Sequence, residues 1–477
     1  MYNWPREDAH IEYKKATGGL PNSVWETYSA FLNTDGGIIY LGVDEISSGE
    51  YVTVGVPNIE KIREEFVNGA RNPKLVSYNS NIGLQVEIIE VDELAIIKIT
   101  VPKAARHNKP VYTFAGKKSV RQAYYRIGDA DQPMSDAEIA RMLVDSVTNH
   151  DNQVIQYYTF EQDIDLPSFR AFRTMVENQE NFTRFKTMTD EEFAYEVGII
   201  DELRDSSGAH RYLTIAGLLL LGKNRRILSR FPDFELDYSK LASTDNVNYK
   251  DRVFTTNDGI SPENVFQFYS AIFERIKLSL PNEFALDAQT GIRKNTLDDL
   301  LAAIRELLAN ALLHAQYGQG RIIIKQYDQY FEFHNPGQLI VSEEQFELGG
   351  YSVPRNQTLV NLFRRAGLVE SYGRGGRMVF DISNKLQLRM PRIDSDVNGT
   401  TIRLWKVGFS DSINDISSHE KAYLTLLEHG ELAISQFEQL DESDIQRKKV
   451  LTELINKGLV IKTGERRGTR YELAPGF

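Results

Sequence analysis

The chain has 477 residues, 41% of them hydrophobic and 26% charged, with a net charge of −12 and no cysteine. These values are ordinary for a globular protein of about three domains, and they exclude disulfides, thiolate catalysis and cysteine-ligated metal sites. No stretch reaches the ~18 apolar residues of a membrane span and no signal pattern precedes the fold, so we expect a cytoplasmic protein.

The first region alternates helix and strand signals. The segment "YSAFLNTDGGIIYLGVDE" predicts a helix end, a turn and a buried strand. A strand pair follows in "LQVEIIEV" and "LAIIKITVP", and "SDAEIARMLVDSV" predicts a helix with a capping box at Ser135 and Glu138. We therefore place a first domain at residues 1–148.

A basic run within this domain is a candidate nucleic-acid surface. Between Lys103 and Arg126 there are seven Lys or Arg residues and no acid, with four aromatic residues interleaved. Basic side chains contact phosphates and aromatic rings stack on bases, although a solvated hairpin with its aromatics in the core explains the pattern equally well. The candidate contacts are Arg106, Lys109, Lys117, Lys118, Arg121 and Arg126.

Three motifs are characteristic of this domain, namely "HIEYKKA", "AFLNTDGGIIYLGVDE" and "YYRIGDAD". Together they resemble the Schlafen-type Alba-like family. The resemblance implies a nucleic-acid-binding α/β fold and, as in some Schlafen relatives, an RNase whose carboxylates bind a divalent metal. Here Glu7, Glu12 and Asp44 are the acids in suitable places. Alternatively, Glu12 pairs with Lys14 and Asp44 caps its turn.

Residues 149–290 form a connecting region with one P-loop decoy. The segment from Gly217 to Asn224 falls one residue short of GxxxxGK[ST]. A phosphate cradle needs exposed amides and a hydroxyl for Mg²⁺, whereas four consecutive leucines predict a buried segment. We therefore interpret this stretch as core.

A polar stripe marks the next helix. In "IRELLANALLH", Glu306, Asn310 and His314 fall at i, i+4 and i+8 and share one helix face. Two alternating strands, "RIIIKQY" and "YFEFHN", follow, then Asn-Pro-Gly, a Gly-rich element "YGRGGRMV" and a strand "NGTTIRLWKV". Such a stripe needs polar partners if it is covered.

This order of elements resembles the GHKL ATPases, which implies a Bergerat-type α/β sandwich at residues 291–408 that binds ATP and Mg²⁺. By that resemblance Asn310 supplies an oxygen to Mg²⁺, and Glu306 orients and deprotonates the attacking water. Asn335 stands where the family has the Asp that recognises adenine, and its amide both accepts and donates hydrogen bonds, whereas a carboxylate only accepts them.

The remaining implied contacts divide between the base and the phosphates. Glycines at a helix N-terminus let backbone amides approach phosphate, and the loop 338–372 corresponds to the ATP lid. The adenine side comprises Asn335, Gly337 and either Thr400 or Thr401. The phosphate side comprises Gly373, Gly375, Gly376, Arg355 and Asn356.

The last segment, residues 416–477, resembles a winged helix-turn-helix. Three helix patterns precede a two-stranded wing, "LVIKTGERRGTRYEL". Eight basic residues against two acids lie between Gln446 and Arg470, so the third helix could enter a major groove. Dimerisation or protein docking is the alternative. The candidate DNA contacts are Arg447, Lys448, Lys449, Arg466, Arg467 and Arg470.

Together these features predict an α+β multidomain protein with three functional modules. Pairing a Schlafen-type domain with a divergent GHKL domain resembles a family of helicase-related transcriptional regulators, although the chain has no helicase motor motifs. We therefore expect an ATP-responsive DNA-binding regulator, with RNA as a second nucleic-acid candidate and with weak ATPase activity and homo-oligomer formation left open. The alternatives are a metal-dependent nuclease using Glu7, Glu12 and Asp44, and a pseudo-ATPase scaffold.

Overall fold

The structure is a computed structural model that divides into two compact units. The first unit comprises residues 1–150 with 396–398, and the second comprises 151–395 with 399–477. None of the helices in the described part of the chain is long and apolar enough to cross a membrane. The residues described are 2, 4–47, 49–78, 83–114, 121–146, 150–206, 208–241, 249–280, 296–350, 353–369, 375–396, 398–413, 416–427, 431–463 and 469–474.

The first unit contains a four-stranded sheet of order β1-β2-β6-β5, a β3-β4 hairpin and a β7-β8-β9 sheet. Strands β1 and β2 are parallel, and the other neighbours are antiparallel. The strands are β1 (Ile11–Lys14), β2 (Gly37–Leu41), β3 (Val43–Ser47), β4 (Glu50–Thr53), β5 (Gln85–Val91), β6 (Leu94–Val101), β7 (Tyr112–Thr113), β8 (Gln122–Ile127) and β9 (Ala130–Pro133). The helices are α1 (Val24–Asn33), α2 (Ile59–Ala70) and α3 (Asp136–Ser146).

Local chemistry explains these elements. The predicted strand pair is the β5-β6 hairpin, whose turn residues Asp92 and Glu93 both have positive φ, as a tight two-residue hairpin turn requires. The predicted capping box is confirmed, because the Glu138 amide donates to Ser135 Oγ and the Ser135 amide donates to Glu138 Oε2. Turn and cap signals therefore placed these boundaries correctly.

The second unit begins with helices and one hairpin and continues into a large sheet. Its helices are α4 (Phe160–Asp163), α5 (Leu166–Glu177), α6 (Asp190–Val197), α7 (Ile215–Leu221), α8 (Asn224–Arg230), α9 (Val265–Ser279), α10 (Thr296–Leu313), α11 (Glu343–Leu348), α12 (Gln357–Arg365), α13 (Gly375–Lys385), α14 (Ser418–Leu427) and α15 (Asp444–Asn456). Its strands are β10 (Ile200–Asp205), β11 (Gly208–Leu213), β12 (Leu236–Leu241), β13 (Tyr249–Phe254), β14 (Ile322–Gln326), β15 (Tyr330–Pro336), β16 (Arg392–Ser395), β17 (Gly399–Trp405), β18 (Val460–Thr463) and β19 (Arg470–Leu473).

A six-stranded mixed sheet of order β13-β12-β14-β15-β17-β16 organises this unit. Strand β12 is parallel to β14, and the remaining neighbours are antiparallel. Strands β12 and β13 precede the expected domain start at residue 291, so the sheet draws on both sides of that boundary. One hydrophobic cluster runs from Phe160 to Leu404, and helix α10 packs on α9, α13 and β15 within it.

The P-loop decoy is buried core, as its leucines predict. Helix α7 is buried along its whole length, and Thr214 caps it by accepting from the Gly217 amide. A Cβ built on Gly217 would lie 2.1 Å from the Ile199 carbonyl oxygen, so glycine allows the close backbone packing. No room remains there for a phosphate.

The C-terminal part has its own small core. Helices α14 and α15 pack with the β18-β19 hairpin, and Leu432 forms an isolated bridge with Tyr471. Sequence analysis predicts three helices here. The middle one is a four-residue 3-10 helix, Ile434–Phe437, whose Phe437 is fully buried.

Candidate functional site

A cleft in the second unit collects the polar stripe of helix α10. Glu306, Asn310 and His314 all line it, so the i, i+4, i+8 spacing correctly predicted a shared face. The start of α13 and strands β15 and β17 complete the cleft, with the α11 region above. We call it the nucleotide cleft, defined by Glu306, Asn310, Asn335, Thr400 and Gly375.

Glu306 and Gly375 are in close contact at the start of helix α13. A Cβ built on Gly375 would lie only 1.6 Å from Glu306 Oε1, so the carboxylate rests against the glycine backbone. Any other residue at position 375 would have to displace it. A carboxylate is favourable there because the first amides of a helix carry partial positive charge.

Helix α11 covers the next glycine. A Cβ on Gly376 would lie 2.3 Å from the Phe346 carbonyl oxygen. With Glu306 and Phe346 both in place, the cleft encloses only about 120 Å³, whereas ligand pockets usually measure ~300 to 1,000 Å³. A ligand of nucleotide size would therefore need the cleft to open.

The sheet side of the cleft carries an amide and a hydroxyl in register. Asn335 of β15 pairs with Thr400 of β17, and both are buried. Asn335 Nδ2 donates to the Pro336 carbonyl at 3.2 Å, and Thr400 Oγ1 donates to the Gly337 carbonyl at 2.9 Å. Thr401 Oγ1 instead contacts His334 Nδ1 at 2.9 Å. Of the two predicted threonines, Thr400 lines the cleft.

Arg355 and Asn356 brace the end of helix α10. Arg355 is 1% exposed, and its guanidinium donates to the His314 carbonyl and, at 2.7 Å, to the Gln338 carbonyl. Asn356 Nδ2 donates to the carbonyls of Leu313 at 2.9 Å and Ala315 at 2.8 Å.

These contacts correct one expectation about phosphate binding. Both side chains were expected to reach phosphates, yet Asn356 is fully buried away from the cleft lining. Arg355 lines the cleft but uses its N–H groups on backbone oxygens. Gly337, at φ +99°, leaves no room for a Cβ, which would lie 2.8 Å from Arg355 Cζ. Gly373 lies outside the described residues.

Asn310 is the most available polar side chain of the stripe. It is half-buried and lines the cleft. Its side-chain amide makes no hydrogen bond with the part of the chain that the structure describes. An amide oxygen in this position is a suitable ligand for Mg²⁺, which prefers oxygen donors.

The basic run of the first unit is only partly a surface. Arg126 is buried and forms ion pairs with Glu12 at 2.7 Å and Asp131 at 2.9 Å, which corrects its prediction as a nucleic-acid contact. Lys109 Nζ donates to the Asn33 carbonyl at 2.6 Å at the end of α1.

Arg121 remains exposed. Arg106 is half-buried, and Lys117 and Lys118 lie outside the described residues.

Each of the three candidate metal-binding carboxylates is engaged by other groups of the protein. Glu12 pairs with Lys14 and Arg126, and Asp44 pairs with Lys15 at 2.6 Å. Burial raises the pKa of Glu7, whose Oε1 accepts from the Tyr13 amide. Among the described residues no group of three His, Asp or Glu could hold a metal ion. This geometry corrects the carboxylate cluster on which the nuclease alternative depends.

The C-terminal basic residues separate into buried and exposed groups. Arg447 is 5% exposed and donates to the Asp441 carbonyl at 2.7 Å, so its predicted DNA contact is corrected to a bracing role. Lys448 is exposed and pairs with Asp444 at 3.2 Å. Lys449 is exposed and makes no ion pair within the described residues. Arg470 is half-buried, and Arg466 and Arg467 lie outside the described part.

Sequence reasoning missed several cleft residues. Phe346 and Gln338 come from the lid segment, and Ser395 of β16, which does not itself line the cleft, forms a hydrogen bond of 2.9 Å with Thr400 Oγ1. The capping box at Ser342 and Gln345 could have located the lid helix, since this S-x-x-Q pattern is a helix start. Ser395 carries no comparable sequence signal.

Comparison with known proteins identifies two of the modules. Residues 7–135 match the family model "Schlafen, AlbA_2", and residues 319–404 match "Putative ATP-dependent DNA helicase recG C-terminal". Residues 140–237 match "Domain of unknown function (DUF8451)". No curated protein matches the chain.

Two solved structures are similar to parts or all of the chain. The DIP2311 protein of Corynebacterium diphtheriae is 16% identical at a TM-score of 0.39, covering 98% of this chain and 95% of that one. The N-terminal domain of an ATP-dependent DNA helicase RecG-related protein from Nitrosomonas europaea is 30% identical at a TM-score of 0.22. That match covers 27% of this chain and 85% of the other. By its family matches, the chain carries a Schlafen AlbA_2 domain followed by a recG C-terminal ATPase-type domain.

Proposed function

We propose that this protein binds ATP with Mg²⁺ in the nucleotide cleft and uses it to control nucleic-acid binding by its flanking modules. One observation carries the nucleotide part. Helix α10, the β15-β17 pair and the start of α13 bring Asn310, Thr400 and Gly375 into one cleft, although they are far apart in the sequence. The recG C-terminal match over residues 319–404 supports the same assignment.

The side chains suit a nucleotide in type. The Asn310 oxygen would hold Mg²⁺, which neutralises phosphate charge when bound. Backbone amides at the α13 N-terminus would face the phosphates once Glu306 moves away. Glu306 is then placed to orient a water molecule, which would give weak ATPase activity.

On the side of the cleft proposed to bind adenine, the Asn335 amide has a fixed orientation. Asn335 uses its Nδ2 on the Pro336 carbonyl, which leaves Oδ1 to accept from the exocyclic amine of adenine. Asn335 would then act as a hydrogen-bond acceptor, as a carboxylate would. We therefore expect ATP to bind more tightly than GTP, whose base carries an acceptor oxygen at that position.

The flanking modules support a role in DNA binding. The AlbA_2 match covers residues 7–135. At the other end, the order α14, 3-10 helix, α15 and β18-β19 pair supports a winged helix, in which α15 would enter the groove. Lys448 and Lys449 lie on its exposed side. The resulting proposal is an ATP-responsive DNA-binding regulator.

Titration of the full chain with a fluorescent ATP analogue and Mg²⁺ tests the nucleotide assignment. Asn310→Ala should weaken binding at least about tenfold, because it removes the oxygen ligand proposed for Mg²⁺. Asn384→Ala is a matched control, since Asn384 is an exposed asparagine on α13 outside the cleft lining. It should bind like the wild type.

The results separate the proposal from the scaffold alternative. Saturable binding by the wild type that is lost only in Asn310→Ala supports the site, and duplex DNA binding with and without ATP is then the functional assay. A folded wild type that binds no nucleotide would refute the proposal and favour a pseudo-ATPase scaffold.

A further inference from the structure

A second cavity lies in the second unit beside the far ends of helices α10 and α13. It measures about 470 Å³, within the ~300 to 1,000 Å³ usual for ligand pockets. Six of its eleven lining residues are apolar, and all eleven lie in the part of the chain that the structure describes. The apolar lining residues are Leu280, Leu297, Leu300, Leu386, Leu388 and Val407.

Two lysines against one acid give the cavity lining a net positive charge when both lysines are protonated. Lys240 at the end of β12 and Lys406 directly after β17 both line it, and neither makes an ion pair with a described residue. Lys406 Nζ donates to the Tyr327 carbonyl, and burial lowers its pKa to about 8. Asp328 is the one carboxylate among the lining residues described, and it pairs with Lys250 at 3.7 Å.

The uncharged polar side chains of the cavity are held in place by hydrogen bonds within the protein. Gln326 Nε2 donates to Ser279 Oγ at 2.9 Å, and the Tyr238 hydroxyl donates to Gln326 Oε1 at 2.7 Å. These groups satisfy one another, so Lys240, Lys406 and Asp328 are the charged groups of the lining, and the two lysines are the ones that can attract an anion. A partly desolvated cation gains most from an anion that also excludes water.

We propose that the second cavity binds an organic monoanion, a carboxylate or sulfonate carried on an apolar or aromatic body. The leucines contact the body, and Lys406 and Lys240 contact the anionic group. A triphosphate is a poor match, because nearly all of its surface is charged while six of the eleven lining residues are apolar. This site is separate from the nucleotide cleft, with which it shares no lining residue.

The location also connects the two sites, a step that rests on the proposed nucleotide function. Leu300 and Asn310 lie on the same helix about 15 Å apart, at 1.5 Å per residue. Helix α13 likewise begins at Gly375 in the cleft and ends beside Leu386 in the second cavity. A ligand that shifts either helix would change nucleotide affinity, and by linkage ATP would change the affinity of that ligand equally.

Anilinonaphthalene sulfonate is a suitable probe, because it joins a sulfonate to an aromatic body and fluoresces when bound. We expect saturable one-to-one binding to the full wild-type chain, weakened about tenfold by Lys406→Met and by Lys240→Met. Lys277→Met is the matched control, since Lys277 is an exposed lysine of α9 that pairs with Glu274 outside the cavity. If Lys406→Met does not fold, Lys240→Met carries the test.

Unchanged probe affinity in both lysine variants would overturn the site, as would an equal loss in Lys277→Met. Added ATP gives a second criterion. An effect on probe affinity that is absent or levels off agrees with separate sites, whereas an effect that grows without limit would place the probe in the nucleotide cleft. Because the lysine variants are compared without nucleotide, their result stands even if the protein fails to bind ATP.

Discussion

Removal of the Glu306 charge should tighten nucleotide binding. In the structure Glu306 Oε1 lies against Gly375, the first residue of helix α13. A phosphate proposed for this position has to displace that carboxylate. Glu306→Gln and Glu306→Ala should therefore bind ATP more tightly than the wild type, even though both should lose hydrolysis.

The size of the gain follows from the helix-end interaction. An anion near a helix N-terminus is stabilised by ~0.3 to 1 kcal/mol, and by up to ~2 kcal/mol when partly buried. Glu306 is half-buried, so the upper part of this range applies. Loss of the competing carboxylate should then lower the Kd for ATP by roughly 5- to 30-fold.

The two substitutions separate charge from volume. Glutamine keeps the size of Glu306, whereas alanine also vacates space in a cleft that encloses only about 120 Å³. Fluorescence titration with ATP, ADP and adenosine should show the gain for the two nucleotides and none for adenosine, which has no phosphate. Glu347→Gln, an exposed acid on the lid helix, is the matched control.

An unchanged or weaker ATP affinity in both Glu306 variants would refute this reasoning. A gain in Glu306→Ala alone would show that the side chain competes by volume and that its charge does not matter. An equal gain for adenosine would show that the cleft has opened generally, because adenosine cannot use the helix N-terminus.

Three further predictions concern residues outside the cleft. Arg126→Ala should lower the free energy of unfolding by ~3 to 5 kcal/mol in urea, because it leaves the buried Glu12 without its arginine; a loss below ~1 kcal/mol would contradict this. Lys449→Ala should weaken duplex DNA binding similarly for all sequences and reduce the salt slope by about one, whereas a sequence-selective loss would indicate a base contact. Burial lowers the pKa of Lys406 from 10.5 to about 8, so between these values the unfolded state holds more protons and this residue makes stability rise with pH. Thermal melts at pH 7.5 and 9.5 should show a smaller gain in Lys406→Met than in the wild type, and equal gains would refute the assignment.

Sequence patterns that involve neighbouring residues predicted helices, strands and caps that agree with the structure. The α10 stripe, the β5-β6 hairpin, the Ser135–Glu138 cap and the buried α7 segment each depend on residues within a few positions of one another. Such patterns are set by helix and strand geometry and by backbone hydrogen bonding, which a local stretch of sequence specifies. The elements around the cleft could therefore be predicted in order.

Charge runs were less informative because their meaning depends on distant partners. Arg126 belongs to a run of basic residues, yet it is buried against Glu12, which lies 114 positions earlier. Arg447 is one of three consecutive cations, but its position on α15 turns it toward the Asp441 carbonyl while Lys448 and Lys449 stay exposed. A composition count treats these three residues alike, whereas the fold distinguishes them.

The two glycines of the cleft combine a local sequence motif with contacts from residues that are distant in the sequence. The sequence predicts that Gly375 and Gly376 let phosphates approach the backbone closely. In the structure other atoms of the protein make this close approach at both glycines. Glu306 reached its place from 69 residues away along the chain, and the Phe346 carbonyl came from the lid. In the structure, oxygen atoms of the protein itself therefore occupy the two positions proposed for phosphate oxygens. A nucleotide bound as proposed would have to exchange both of these contacts, so its binding should move helix α11.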